Sequence, residues 1–362
     1  MNHAVIMAGG TGKRLWPLSR QNRPKQVLRL FHGKTLLRCC FERLGGVFEP
    51  DRVWVMTNAA YVDVVRADLP DLRPDHVIAE PAVRDTVGAI GLASTILDKV
   101  DSDATLAVVT ADHMIEPVHT FAQVLRDGLK FVNDCPGAIV TFGVAPTFAS
   151  TQLGYIKLGP ARSHSGCSGD IHPVEAFREK PDAATAEQYV RSGSYCWNSG
   201  MFLFKAATML GHLAAFLPDS VEPFSRIRDA WGTPRQETAL KEWFVRVPKT
   251  SIDYAVMEKA SDIYAIRLNC RWLDLGSFTA LAEMLGPDAD GNVLAANLAA
   301  MLDSRDNIVV TEDSGHLVAL LGVKDLVVAH SPDATLVCHA SQAHRLKELL
   351  DEVARRHGDR FL

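Results

Sequence analysis

Near the start of the chain, apolar residues come in short unbroken runs, and the stretches between them are amphipathic. Residues 4–8, 52–57, 76–79, 104–110 and 138–144 have the length and composition of strands, several of them buried on both faces. Helices are expected over 35–44, with Thr35 as cap, and over 61–69, 83–100 and 121–133. Strand alternating with helix predicts an α/β fold with a mostly parallel sheet and helices on both faces. Further strands are expected at 153–158, 200–204 and 263–268, helices at 207–216 and 237–245, and a mobile turn at 159–170.

The pattern changes after Gly286-Pro287-Asp288-Ala289-Asp290-Gly291-Asn292, which has the composition of a linker. Short strands at 307–310, 317–321, 325–329 and 334–338 follow without intervening helices, and an amphipathic helix at 341–357 closes the chain. This predicts a first domain over 1–285 and a small all-β module over 286–362. The module carries no catalytic pattern. Its expected work is contact with the first domain or with a partner subunit, as in a homodimer.

Composition removes several classes of function. The chain has 362 residues, is 47% hydrophobic, and balances 38 basic against 43 acidic side chains for a net charge of −5. Nothing global points to nucleic acid or an anionic membrane. No apolar run is long enough to span a bilayer, and the N-terminus runs directly into a strand, so a cytoplasmic location is expected. The seven cysteines show neither Cys-x-x-Cys nor zinc spacing and read as reduced thiols.

Candidate chemistry begins where the first strand ends, in Ala8-Gly9-Gly10-Thr11-Gly12. Glycines here let the backbone turn tightly and present N–H groups to an anion. Five cations follow: Lys13, Arg14, Arg20, Arg23 and Lys25. Together they suit a highly charged ligand such as a nucleoside triphosphate. A Walker A loop fails, because its first glycine would be Met7 and its Ser/Thr would be Arg14; the dinucleotide fingerprint fails at Leu15. Glu80 to Thr86 and Asp112 fall at the carboxyl ends of later strands, on the edge where α/β sheets bind ligands. Glu80, Arg84, Asp85 and Thr86 are placed for base or ribose contacts. An ionised Asp85 could accept from the N1–H and N2–H₂ donors of guanine, or cap its helix. Asp112 is the natural Mg²⁺ ligand beside a triphosphate. His113 reads as structural.

The run from Ala8 through Trp16-Pro17-Leu18-Ser19-Arg20 to Pro24-Lys25-Gln26 resembles the signature of the sugar-1-phosphate nucleotidylyltransferases, in particular their mannose-1-phosphate guanylyltransferase branch. The resemblance covers most of residues 1–285 in five motifs. It implies a Rossmann-like nucleotidyltransferase core, with a few turns of left-handed parallel β-helix in the C-terminal module. It implies GTP and mannose 1-phosphate as substrates and Mg²⁺ as cofactor. Ala8, Gly9, Gly10, Thr11, Gly12 and Lys13 would hold the triphosphate, and Arg14 and Lys25 would be catalytic. Leu153-Gly154-Tyr155-Ile156 is similar to the strand that passes the sugar in that family. Glu179-Lys180-Pro181 would bind sugar hydroxyls through Glu179 and the sugar phosphate through Lys180. Asn198, in Trp197-Asn198-Ser199-Gly200, would offer donor and acceptor to vicinal hydroxyls, with Trp197 as packing. Asp253 either caps its helix or supports the sugar site. Asp274, in Trp272-Leu273-Asp274-Leu275-Gly276-Ser277, would be the second metal carboxylate facing Asp112. Where the family usually reads Arg-Asn-Thr-Ala-Pro-Ala, this chain has Arg84-Asp85-Thr86-Val87-Gly88-Ala89. The same chemistry on another sugar phosphate or nucleotide, and a catalytically silent regulatory paralogue, are the alternative readings.

Overall fold

The structure, a computed structural model, describes residues 1–10, 12–29 and 33–362, apart from the side chain of Lys13. Its largest element is a nine-stranded sheet. One half is built from β1 (Asn2–Met7), β2 (Val53–Asn58), β3 (Val77–Glu80) and β4 (Thr105–Thr110), all parallel, in the order β3-β2-β1-β4. Helices α1 (Leu36–Leu44), α2 (Val62–Asp68) and α3 (Asp85–Val100) connect them. Thr35 caps α1 by accepting from Arg38 N. Alternate residues of β1 enter different cores: Ala4 and Ile6 pack with Leu37, Leu125 and Phe142, and Val5 packs with Ile90, Ile96 and Phe202. Burial on both faces is why β1 is apolar from Ala4 to Met7.

Beyond β4 come β5 (His113–Glu116), α4 (Val118–Asp134), β6 (Ile139–Val144), β7 (Tyr155–Leu158), β8 (Ile171–Arg178), α5 (Ala183–Ser192) and β9 (Tyr195–Lys205). The long β9 inserts between β4 and β6, antiparallel to both. Then β10 (Ile263–Arg267) lies parallel to β6 and antiparallel to β8. The sheet is therefore mixed rather than mostly parallel, with four parallel and five antiparallel pairings. A strand buried on both faces has the same apolar composition in either direction, so the sequence pattern does not reveal this. The 159–170 segment, expected to be a mobile turn, is tied to α4: Asp127 Oδ2 accepts from Ser168 N and Gly169 N, each at 3.0 Å.

Helices α6 (Ala206–Phe216), α7 (Val221–Ala230) and α8 (Gln236–Phe244) cover α3. The sequence predicts only two helices here. α7 carries Pro223 in its first turn, where proline is tolerated, and seats Phe224 against Gly91 so closely that a Cβ there would collide with the ring. β11 (Arg271–Asp274) pairs antiparallel with β5 as a separate ribbon, and α9 (Phe278–Leu285) follows, capped by Ser277.

The remaining strands are β12 (Val293–Ala295), β13 (Leu298–Leu302), β14 (Ile308–Thr311), β15 (Leu317–Leu321), β16 (Leu326–Ser331) and β17 (Ala334–His339), closed by α10 (Leu346–His357). β12, β14 and β16 stack in parallel, and β13 and β15 form a second parallel ladder. These are successive coils of a parallel β-helix, which β17 ends by turning back antiparallel on β16. Inside, Asn307 Nδ2 donates to Asn292 Oδ1 at 3.0 Å, and Leu326 N donates to Asn307 Oδ1, a ladder of buried amides through consecutive coils. β12 and β13 escape the sequence pattern because 294–302 is mostly Leu and Ala, which carries no strand signal.

A third core joins this module to the segment after the glycine loop. Leu15, Trp16, Leu18 and Leu28 pack with Phe278, Val310, Leu336 and Leu346. Among the described residues, no helix is long and apolar enough to cross a membrane.

Candidate active site

Two carboxylates and a buried ammonium meet at the carboxyl edge of the sheet. Lys25 Nζ donates to Asp112 Oδ2 at 2.9 Å and to Asp274 Oδ1 at 3.4 Å. Asp112 ends the β4 turn, and the β5–β11 ribbon sets Asp274 opposite His113, which brings it alongside. The Lys25 side chain is only 6% exposed, whereas those of Asp112 and Asp274 are 39% and 35% exposed. Burial pushes the Asp112 carboxyl up, but the Lys25 charge, His113 and the Lys25 hydrogen bond outweigh it and hold it at about 2. His113 is buried and pushed down by that burial; its Nδ1 accepts from the Trp272 indole at 3.3 Å. Two carboxylates converging on one cation form an all-oxygen donor set, which is the kind Mg²⁺ takes.

The glycine loop is braced against this cluster. Gly12 sits at φ +63°, and a Cβ there would collide with Lys25 Cβ. Ser19 Oγ donates to Gly12 O at 2.6 Å, while Ala8 O accepts from the Gln26 amide and from Thr57 Oγ1. Ser19 and Gln26 were given no role from sequence, although both stand in the signature. Their burial, at 1% and 3% exposed, marks them as positioning residues for the loop. Gly10 is open to solvent, and Arg14 is exposed with its guanidinium beside Gly276. Thr11 and the side chain of Lys13, both expected at the nucleotide, lie outside the described residues.

The expected cluster of cations divides. Arg20 and Arg23 do not face the site. Arg20 donates to Phe361 O at 2.6 Å, to Ser331 Oγ at 3.0 Å and to Asp333 Oδ1 at 2.6 Å. Arg23 pairs with Glu312 at 2.6 Å, and Trp16 Nε1 donates to Phe361 O at 2.5 Å. The second half of the signature is thus a seat for the β-helix.

Glu80 closes β3 beside Gly9, whose Cβ would stand 3.6 Å from Glu80 Oε1. Burial pushes the Glu80 carboxyl up to about 7. Arg84 turns back to donate to Val245 O, and Thr86 Oγ1 accepts from Ile252 N at 2.7 Å, so both anchor the start of α3 to the 245–252 segment. Asp85 is exposed at φ +58°, a conformation Asp tolerates, with Oδ1 accepting from Thr86 N. Of these four, Glu80 lies beside the glycine loop and Asp85 faces solvent, while Arg84 and Thr86 are held by structural contacts.

A second cluster gathers at Asn198. Asn198 N donates to Gly154 O at 2.8 Å, and a Cβ on Gly154 would meet Glu179 Oε2 at 2.5 Å. Lys180, at φ +45°, pairs with Glu179 at 2.5 Å. Positive φ at a lysine stores strain of the kind found at functional positions. Asn198 is already engaged, accepting from Thr141 Oγ1 at 2.9 Å and donating to Asp253 Oδ1 at 3.3 Å, so its amide is less free for vicinal hydroxyls than expected. Asp253 heads a π-helical turn, Asp253–Met257, and is pushed up to about 7 by burial and then by Glu179. It joins this cluster rather than serving as a plain helix cap. Trp197 is 4% exposed and packs edge-on to Phe148 at 4.9 Å. β9 runs antiparallel to β4 with Val108 opposite Phe202, so Asn198 lies toward the same edge as Asp112.

Comparison with known proteins finds relatives for both parts of the chain. The family described as "Nucleotidyl transferase" matches residues 3–290, and that described as "MannoseP isomerase/GMP-like beta-helix domain" matches residues 299–353. A mannose-1-phosphate guanylyltransferase from Klebsiella pneumoniae is 37% identical over 350 residues, covering 96% of this chain and 73% of that protein. One from Escherichia coli is 36% identical over 350 residues with the same coverage. A crystal structure from Thermus thermophilus, described as a mannose-1-phosphate geranyltransferase, superposes with a TM-score of 0.86 at 34% identity, covering 97% of this chain and 99% of that one. With its motifs in order, its β-helix on the signature and these relatives along nearly its whole length, the chain belongs to the mannose-1-phosphate guanylyltransferase family of nucleotidyl transferases.

Proposed function

We propose that the protein transfers a guanylyl group from GTP to mannose 1-phosphate, giving GDP-mannose and pyrophosphate. The observation that carries this reading is the meeting of Lys25, Asp112 and Asp274 beside the glycine loop, in a chain of this family. A phosphate oxygen of mannose 1-phosphate attacks the α-phosphorus in line. A new P–O bond forms, the bond from α-phosphorus to the bridging oxygen breaks, and pyrophosphate leaves with the electron pair. No nucleophile from the protein is needed, so catalysis is positioning and charge neutralisation.

The backbone from Ala8 to Gly12 holds the triphosphate, with Thr11 and Lys13 as further contacts. Arg14 neutralises the departing pyrophosphate. Lys25 and Lys180 offset the repulsion between two anionic reactants. Asp112 and Asp274 would hold Mg²⁺, which supplies positive charge to phosphate oxygens when bound. Glu80, Arg84, Asp85 and Thr86 border the base and ribose, with Asp85 accepting from guanine. Gly154, Glu179, Lys180 and Asn198 border the sugar phosphate, and Asp253 supports them.

The same proposal takes residues 1–285 as the catalytic unit and 286–362 as the coiled module, with left-handed winding, a cytoplasmic location and a homodimeric assembly. The dimer is supported by an exposed apolar face, where Leu298, Leu302, Leu317 and Leu321 project from β13 and β15. Pyrophosphate release with Mg²⁺ tests the reaction, using GTP, ATP, UTP and TTP against mannose 1-phosphate and glucose 1-phosphate. Release with GTP and mannose 1-phosphate alone is expected. Another active pair would reassign specificity, and no release from folded protein would overturn the catalytic reading.

A further inference from the structure

We infer that Asp313, His316 and His330 form a second metal site, for a borderline divalent ion such as Zn²⁺, outside the catalytic edge. One ligand atom from each lies within 4.8 Å of the other two. Two imidazoles and one carboxylate make a nitrogen-rich set that favours Zn²⁺, Co²⁺ or Ni²⁺ over Mg²⁺. Three protein ligands leave an open position for water, as in three-ligand zinc sites.

The ligands come from two places that the β-helix brings together. Asp313 and His316 belong to the turn between β14 and β15, and His330 lies near the end of β16, opposite Thr311 of β14. Each keeps a ligating atom in reserve. His330 Nδ1 contacts Thr335 Oγ1 at 3.0 Å, which fixes the ring and leaves Nε2 for the ion. Asp313 Oδ1 accepts from Gly315 N at 2.9 Å, which leaves Oδ2, and the exposed carboxylate gives an entry path. The two rings stack at 3.6 Å and 10°. Two imidazolium ions would repel in that stack. Neutral imidazole, the ligating form, is thus the state this packing favours. Zinc ligands stand roughly 3.4 Å from one another at ordinary bond lengths. Binding therefore draws the three atoms inward and tilts the His316 ring out of the stack, with His330 held by Thr335.

The site has a definite place in the molecule. Glu312, next to Asp313, accepts from Arg29 N and pairs with Arg23, each at 2.6 Å. Ser331 and Asp333, just after His330, accept from Arg20. An ion joining the turn to the strand end would lock together the two parts of the module that grip the signature segment.

The test is a Co²⁺ titration of EDTA-treated, untagged full-length protein, followed by visible absorption and then by displacement with Zn²⁺. A saturating band is expected, lost in His316→Ala and in His330→Ala and retained in Asp112→Asn. Zn²⁺ should raise the melting temperature of the parent protein and leave the His variants unmoved. Asp313→Asn keeps an oxygen for Gly315 N and should weaken Co²⁺ binding at least tenfold without unfolding, so it decides the matter should either His variant misfold. Absence of a saturating band in the parent, or a band that survives in the folded His variants or is unchanged in Asp313→Asn, overturns the inference.

Discussion

Lys25 Nζ stands 2.9 Å from Asp112 Oδ2, so a buried lysine of the signature is spent on a carboxylate 87 positions away. Asp112 titrates near 2 against 3.8 for the free carboxyl. A depressed carboxyl contributes stability that is complete above pH 4 and is lost as pH falls toward 2. Lys25→Met removes that contribution. The stability gap between parent and variant should therefore narrow from pH 4 to pH 2 in urea unfolding, and pyrophosphate release should fall about 100-fold or more at pH 7. A gap that is independent of pH would dissociate the pair from acid stability.

Asp253 titrates in the opposite sense, near 7 against 3.8. A raised carboxyl stabilises fully below its unfolded value, and that stability is lost as pH rises through the folded value. Parent protein should lose roughly 3–4 kcal/mol between pH 4 and pH 8 from this group. Asp253→Asn should flatten the decline, and should raise KM for mannose 1-phosphate more than for GTP. Equal slopes in urea unfolding at pH 5 and pH 8 for both proteins would count against it.

Base selection separates Asp85 from Glu80. Asp85 faces solvent, while Glu80 is buried beside Gly9. If Asp85 reads guanine, Asp85→Ala weakens GTP use at least tenfold and narrows the preference over ATP. Unchanged kcat/KM ratios for the four nucleotides would transfer the role to Glu80, for which Glu80→Gln is the matching variant.

Arg20, with its side chain 10% exposed, makes three contacts to the C-terminal module. Arg20→Ala should cost about 1–2 kcal/mol by leaving the part-buried acceptors Phe361 O and Ser331 Oγ unpaired. The melting temperature should drop by roughly 2–5 °C. Lys34→Ala removes an exposed pair with Glu42 and should change stability by less than about 0.5 kcal/mol. Equal effects in calorimetry would mean that the clasp contributes no more than a surface ion pair.

The leucine face predicts assembly. Leu302 and Leu321 are 62% and 70% exposed and lie opposite each other in the β13–β15 ladder. Light scattering on the Leu302→Lys, Leu321→Lys double variant should give the monomer mass where the parent gives twice that. An unchanged mass would remove this face from the interface.

The parallel half of the sheet was legible because burial on both faces writes itself as unbroken apolar runs, as in β1 and β4. The glycine loop was legible because its chemistry is local. Partnership across the fold was not legible in the residue pattern, and the facing of Asp274 and Asp112 was expected only through the family resemblance. β5 and β11 are four-residue strands of mixed character, and no periodicity in His113-Met114-Ile115-Glu116 announces that it will carry Asp274 to Asp112. Charge counting placed Arg20 and Arg23 with Lys25, since a cation carries no mark of which anion it will meet. The division appears only when Glu312, Asp333 and Phe361 are folded onto them. The engaged state of Asn198 likewise depends on Thr141 and Asp253, which are distant in sequence.

The core shared by Leu15, Trp16 and Leu18 with Val310, Leu336 and Leu346 has a consequence for biosynthesis. The segment that follows the glycine loop leaves the ribosome long before the coils that cover it. Until then Trp16 and Leu18 have only Leu28, Leu36, Leu275 and Phe278 of the first domain to pack on, and a nascent chain with its sheet already formed still presents an apolar patch next to the glycine loop. Nucleotide binding during synthesis should therefore be weak, and it should sharpen only once β14, β17 and α10 have emerged.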